Sequence, residues 1–396
     1  MNIIMVHNYY QQPGGEDQVF ISESNLLESQ DHKVFRYTMH NDHIANMNGF
    51  KLAFNTLWNQ RASTSLKYLV QRYRPQVIHF HNTFPLISPG SYYARGNKGP
   101  VVIQTLHNFR LLCPGALFLR NGYICERCLF KIVPWPGAFK ACYRKSYLAS
   151  ICIVAMITLH KLLRTWQKKI DRYIALTEFA KEKFIQGGIP SDKIVVKPNF
   201  VSPDPGSINH KDNYALFVGR LSNEKGIITL LKAWKHIDPV SLKIVGYGPM
   251  EEQVKKIITR DSLYTIEFLG KLDRNHIFNL MKRAIFLLFP SEWYEGFPNT
   301  LVEAFACGLP VIASKLGSMA EIVEDGVTGL LFEAGNPVDL ADKINWLIEH
   351  PDNCRYMGKN ARQVFLEKYT AEKNYETLMN IYKKSINDNK KNQRET

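Results

Sequence analysis

Two glutamates eight residues apart, Glu295 and Glu303, stand in the segment PSEWYEGFPNTLVEAFACGLPVIAS, residues 290–314. A carboxylate that accepts from two neighbouring hydroxyls is a strong polar clamp. It repels phosphate, so these side chains suit the hydroxyl groups of a ligand. Phosphate suits free backbone amides at a helix N-terminus, and Phe297, Asn299 and Thr300 stand where such amides would lie. Clamp and amides together would hold a ligand built of sugar, phosphate and ribose in series. The plainer alternative has Glu295 capping the helix and Glu303 facing water.

The elements that must position these groups are legible around them. Ile285–Phe289 is an unbroken apolar run of strand type, ended by Pro290 and Ser291. Glu295 and Gly296 make a tight loop. Pro298 falls in the first turn of a helix, where proline is tolerated. That helix runs to Ala306, Gly308–Pro310 stop it, and the strand Val311–Ser314 follows. The loop therefore lies at the carboxyl end of a strand, where open α/β sheets bind ligands.

The same segment resembles the E-x7-E signature of the retaining glycosyltransferases of family 4, which have the GT-B fold. Three further stretches are similar to motifs of that family, in the same order: YALFVGRLSNEKG (214–226), LKIVGYGP (242–249) and FLGKL (268–272). The resemblance implies two Rossmann-like doubly wound α/β domains facing across a cleft, with a C-terminal helix crossing back to the first. It implies a UDP- or GDP-sugar donor and no cofactor or metal in catalysis. Arg220 and Lys225 would neutralise the donor diphosphate, Glu295 would hold sugar hydroxyls and Glu303 the ribose. Gly246, Gly248 and the stretch Phe297, Pro298, Asn299 and Thr300 would shape the donor pocket. Many members carry glycine after the Glu-Gly-Phe step, where this chain has Pro298 and Asn299, so the loop says little about which sugar is bound.

At 396 residues the chain exceeds one typical core. A Pro-, Asn-, Asp-, Ser- and Gly-rich stretch marks a linker at about 199–213, so residues 1–198 form a first domain and 214–352 a second, with a helical tail over 353–396. First-domain strands are expected at Ile3–His7, Val34–Tyr37, Val77–Phe80, Val101–Leu106 and Arg172–Leu176. After the first strand, Gly14 and Gly15 let backbone approach a ligand and expose amides. They resemble the family's glycine-rich loop, and a simple turn is the alternative. His107 follows the strand Val101–Leu106, at a position where the family often places a histidine near the donor sugar. His81 is the second choice, and His79 lies on the same strand.

Charge is uneven. Residues 1–200 hold 25 Lys+Arg against 11 Asp+Glu, whereas residues 201–396 hold 25 of each. Such a field attracts anionic surfaces. No nucleic-acid module is recognisable, so nucleic acid is not expected. An anionic membrane carrying a lipid-linked saccharide acceptor suits the basic half better, and a solvated basic face is the alternative. With no signal peptide recognised at the N-terminus, the enzyme is expected in the cytoplasm, peripheral on the inner face of the inner membrane. The resemblance places it in capsule, exopolysaccharide or lipopolysaccharide synthesis.

Four of the seven cysteines, Cys113, Cys125, Cys128 and Cys142, cluster in an insertion at about 110–145. Their number and the C-x2-C pair suit a structural zinc, and buried free thiols are the alternative. The most apolar run, Tyr147–Leu159, is too short to span a bilayer. It reads as a buried helix, or as one lying in a membrane face.

Overall fold

The computed structural model describes residues 1–12, 14–96, 99–238 and 240–394; side chains beyond Lys391 are not described. The chain divides into two compact units. The first comprises residues 1–118 and 125–199 together with the C-terminal helix from Asn374. The second comprises Leu119–Ile124 and Phe200–Lys373.

The first unit is built on a six-stranded sheet of β1 (Asn2–Tyr9), β2 (Lys33–His40), β3 (Val77–Asn82), β4 (Val101–Leu106), β7 (Arg172–Ala175) and β8 (Ile194–Val196), in the order β2-β1-β3-β4-β7-β8. Every pairing in it is parallel. β3 and β4 are buried along their whole length, as strands covered on both faces must be. A small hairpin, β5 (Leu119–Arg120) and β6 (Tyr123–Ile124), interrupts the crossover from β4 to β7.

The second unit has its own parallel sheet, of β9 (Tyr214–Val218), β10 (Ser241–Val245), β11 (Ile266–Gly270), β12 (Leu287–Phe289), β13 (Val311–Ser314) and β14 (Gly329–Phe332). Its order is β11-β10-β9-β12-β13-β14. In order of appearance this is 3-2-1-4-5-6, the dinucleotide-fold order, whose direction reverses between the first and fourth strands. The loops after β9 and β12 therefore open side by side at that switch point. Both apolar layers are buried: Ile244, Leu288 and Ile312 lie in one, Leu216, Leu287 and Val311 in the other.

The expected tail divides in two. The helix Pro351–Lys368 belongs to the second unit, because Ala361 and Phe365 are in its core. The helix Ala371–Arg394 gives Leu378, Met379, Ile381 and Tyr382 to the core of the first, beside Ile3, Met5, Val77 and Ile103. The apolar run at 147 is a helix reaching Leu162, buried on one side and open on the other.

Candidate active site

In the second unit the switch point assembles its polar groups through glycine. At Gly226, φ is +67° and a Cβ would run into the carbonyl of Pro290. Only glycine allows that approach cheaply. The loop after β9 thereby lies against the loop after β12, and the Glu292 amide bonds the Glu224 carbonyl at 2.8 Å. Lys225 is carried to Glu295, with Nζ 2.6 Å from Oε1. Ser291 Oγ at 2.7 Å and Trp293 Nε1 at 3.0 Å donate to the same oxygen. Glu295 is buried, and its Oε2 carries no protein hydrogen bond among the described residues. A single carboxylate oxygen is thus left to accept from a ligand.

The pairings show how the expected residues are held. Lys225 rests paired with Glu295, so a diphosphate would share its charge with that carboxylate. Arg220 is exposed and has no side-chain partner among the described residues, so it is the open cation of the loop. Glu303 is not open-handed either: Arg274 Nη2 lies 3.3 Å from its Oε1. Burial raises the Glu303 carboxyl above its ordinary range, against the pull of Arg274.

The helix begins at Asn299, so Pro298 is its N-cap rather than a first-turn residue. The Asn299 amide turns back to the Phe297 carbonyl at 3.0 Å and does not point outward. Gly246 and Gly248 serve the loop pair directly. A Cβ at Gly246 would strike the Gly219 carbonyl, and one at Gly248 the Leu221 carbonyl, so both let the loops after β9 and β10 zip together. That packing presents Tyr247 at the rim, with Lys271 Nζ 5.0 Å from its ring centroid.

In the first unit the switch lies between β1 and β3, and the loops there hold a second polar cluster. His107 Nε2 is 2.9 Å from His81 Nδ1, with the rings stacked. Burial, then the neighbouring His81 and His7, push the His107 pKa well down, so the ring is neutral at pH 7. Behind it His81 Nε2 is 3.4 Å from Glu23, which pairs with Lys197 at 2.8 Å, both about 1% exposed. Burial would raise the Glu23 carboxyl, but Lys197 and the two histidines outweigh it and hold it well below its usual range. Both nitrogens of His79 are engaged, one by Tyr382 and the other by Thr105.

Glu23, His79 and His81 are the one group of three metal-ligating side chains, among the described residues, whose donor atoms all lie within 4.8 Å. With a lysine on the carboxylate and His79 fully occupied, the group is a buried polar network and not a metal centre.

Gly14 does not offer its amide outward. Asp17 Oδ2 accepts it at 2.8 Å and closes the helix Gly15–Ser29, while Oδ1 holds His7 at 2.6 Å. Gly15 is the first, exposed residue of that helix. The group that sequence reading missed is Glu16. Asn108 Nδ2 donates to its Oε2 at 3.1 Å, and its Oε1 is buried without a partner. Burial lifts its carboxyl to about 7, against the Tyr10 and Asn108 hydrogen bonds. Its place two residues beyond Gly14, in the first turn of the helix Gly15–Ser29, was the available signal.

All seven cysteines are free. Cys113, Cys125 and Cys142 come close enough to Cys128 to add to the burial that pushes its thiol up to about 12. No three of the four sulfurs lie within 4.8 Å of one another, so the tight cage a tetrahedral zinc needs is not closed in this arrangement.

Two Rossmann-like units with a C-terminal helix returned to the first, and a polar site at the switch point of the second, define the GT-B class. The family models agree: "Glycosyltransferase Family 4" matches residues 13–205 and "Glycosyl transferases group 1" matches 201–364. The chain belongs to glycosyltransferase family 4. It is 36% identical to an uncharacterized glycosyltransferase of Methanocaldococcus jannaschii over 43% of this chain and 48% of that protein, so the match spans about half the relative's length. It is 28% identical to the O-antigen chain mannosyltransferase C of Escherichia coli over 91% of this chain and 86% of that one. Among solved structures, Anabaena Alr3699/HepE in complex with UDP superposes with a TM-score of 0.68 at 19% identity, covering 97% of this chain and 100% of that one. That likeness establishes the fold.

Proposed function

We propose that this protein is a retaining glycosyltransferase that moves a hexose-type sugar from a nucleotide-sugar donor to a lipid-linked or growing saccharide. The product would enter capsule, exopolysaccharide or lipopolysaccharide synthesis at the cytoplasmic face of the inner membrane. The observation that carries the reading is the Lys225–Glu295 pair at the switch point of the second sheet, with one carboxylate oxygen open and Arg220 unpaired nearby in the chain. The O-antigen mannosyl transfer for which the E. coli relative is named, and the UDP bound by the Anabaena protein, support it.

In this reading the bond between the anomeric carbon and the leaving phosphate oxygen breaks. The acceptor oxygen bonds to the same face of that carbon, and the acceptor proton passes to the departing phosphate. Arg220 and Lys225 stabilise the diphosphate charge as it grows. Glu295 Oε2 accepts from a sugar hydroxyl. His107 stays neutral in the first unit, which serves the acceptor.

The test is nucleotide release from a panel of UDP- and GDP-sugars, with and without a lipid extract as acceptor, in wild type and Glu295→Ala. Release with one donor, stimulated by lipid and lost in the variant, is the expected outcome. Donor turnover into an isomeric nucleotide sugar without any acceptor would favour an epimerase on the same scaffold. Donor binding with no turnover under any condition would favour a binding protein.

A further inference from the structure

The helix Tyr147–Leu162 leaves a stripe of side chains outside the core. Ile153, Val154, Met156, Ile157 and His160 are buried. On the other side Leu148, Ile151 and Leu162 are exposed, with Ala155 and Leu159 half-buried between them. Their spacing of three or four residues puts them on one face. Leu148 is 83% exposed, far beyond what an apolar residue in a packed helix shows.

Neighbouring elements extend this face instead of covering it. The helix Gly49–Leu57 packs beside it: Cys152 Sγ lies 3.8 Å from the Ala53 carbonyl, and His160 Nε2 lies 2.9 Å from the Leu57 carbonyl. That helix presents Phe50 and Phe54, 81% and 73% exposed, one turn apart. On the other flank Lys161 Nζ holds the Lys131 carbonyl at 2.8 Å. This brings exposed Phe130 and Ile132 to Leu162, across an open groove of about 430 Å³. The next helix, Trp135–Phe139, exposes both of its end aromatics. A contiguous apolar surface of this size on a soluble chain marks an interaction site.

Charge identifies what it meets. Lys51, Lys140, Arg144, Lys145, Arg164 and Lys168 are exposed on or beside these same elements. Between residues 43 and 170 the one acidic side chain is Glu126, and it is tied to Lys183 at 2.7 Å. Aromatic and aliphatic side chains set among lysines and arginines, with almost no carboxylates, match an anionic lipid surface. No described helix is long and apolar enough to cross a membrane, so the face lies on the bilayer.

We propose that the surface formed by the helices Gly49–Leu57, Trp135–Phe139 and Tyr147–Leu162, with the loop at 130–133, docks the protein onto an anionic phospholipid bilayer. Phe50, Phe54, Leu148 and Ile151 enter the headgroup–acyl boundary and the basic residues contact lipid phosphates. This deepens the lipid-linked acceptor reading by naming where the lipid side is met. It stands or falls separately from sugar transfer, because its test reads binding alone.

The experiment is flotation of the full chain with vesicles of phosphatidylethanolamine and phosphatidylglycerol, against vesicles of phosphatidylcholine. Wild type is expected to float with the anionic vesicles, at least ten-fold more than with the zwitterionic ones. A variant with Phe50→Ser, Phe54→Ser, Leu148→Ser and Ile151→Ser should lose at least ten-fold of that binding. A variant with Lys140→Glu, Arg144→Glu and Lys145→Glu should lose the anionic preference. Because all these positions are exposed, both variants should keep the wild-type thermal midpoint and, given a soluble acceptor, release nucleotide from the donor at the wild-type rate. Wild type left in the soluble fraction with both vesicle types overturns the proposal. So does equal flotation of the serine variant, or a wild-type dimer that the serine variant converts to a monomer without any vesicle binding.

Discussion

Glu16 is the side chain whose ionisation should be visible in the whole protein. Its carboxyl titrates near 7 in the folded chain and near 4.3 when unfolded. The folded state therefore holds the proton more tightly, and stability falls as pH rises from about 4.5 to 7. Glu16→Gln, which cannot ionise, should match wild type near pH 4.5. It should show a higher thermal midpoint at pH 8, and an unchanged difference across that range would refute the assignment. At Lys225, the pairing with Glu295 and the adjacent Arg220 give a graded expectation. Lys225→Ala should lower kcat by about 10²–10³-fold, the usual scale for removing one group that stabilises developing negative charge. The lysine reading fails if steady-state rates on the identified donor stay within two-fold of wild type.

Among the elements, β3 and β8 are joined to the helix Gly15–Ser29 by a buried ion pair. Lys197, just past β8, and Glu23 on that helix are fully enclosed, and Glu23 faces His79 and His81 on β3. Removing one member of such a pair leaves an uncompensated buried charge and costs about 3–5 kcal/mol. Lys197→Met should shift the urea midpoint accordingly, and adding Glu23→Leu should recover a large part of the loss. If the single and double variants unfold at the same urea concentration, the pair is not coupled as described. The four-thiol insertion belongs to this scale too. We propose that zinc draws Cys113, Cys125, Cys128 and Cys142 together as thiolates, supported by the burial of Cys113 and Cys128 and the proximity of the other thiols to Cys128. Native mass spectrometry should find one added zinc, lost on chelation. A mass equal to the bare chain with four titratable thiols would rule it out.

At the scale of the whole molecule, the first unit is completed by residues more than 170 positions beyond its last strand. Tyr382 reaches His79 at 2.7 Å, and Leu378, Met379 and Ile381 fill the same core. A chain ending before Asn374 should lose hydrogen-exchange protection in β1, β3 and β4 while β9, β12 and β13 keep theirs. Equal protection in all six strands would show that the helix is dispensable. Much of this architecture was legible in the chain alone. Alternating apolar runs and turn residues located β4 and β13 to the residue, because a strand buried on both faces is written as a local run. The loop around Glu295 was legible for the same reason, its glycine and proline being local punctuation. What the sequence could not assign was partnership. Lys225 and Glu295 are 70 residues apart, Glu23 and Lys197 are 174 apart, and Arg274 reaches Glu303 from another helix. Such pairs are decided by strand order, which places the loop after β9 beside the loop after β12. No local pattern encodes that order, so the chain named the charged residues and only the tertiary fold decided which of them remain open to a ligand.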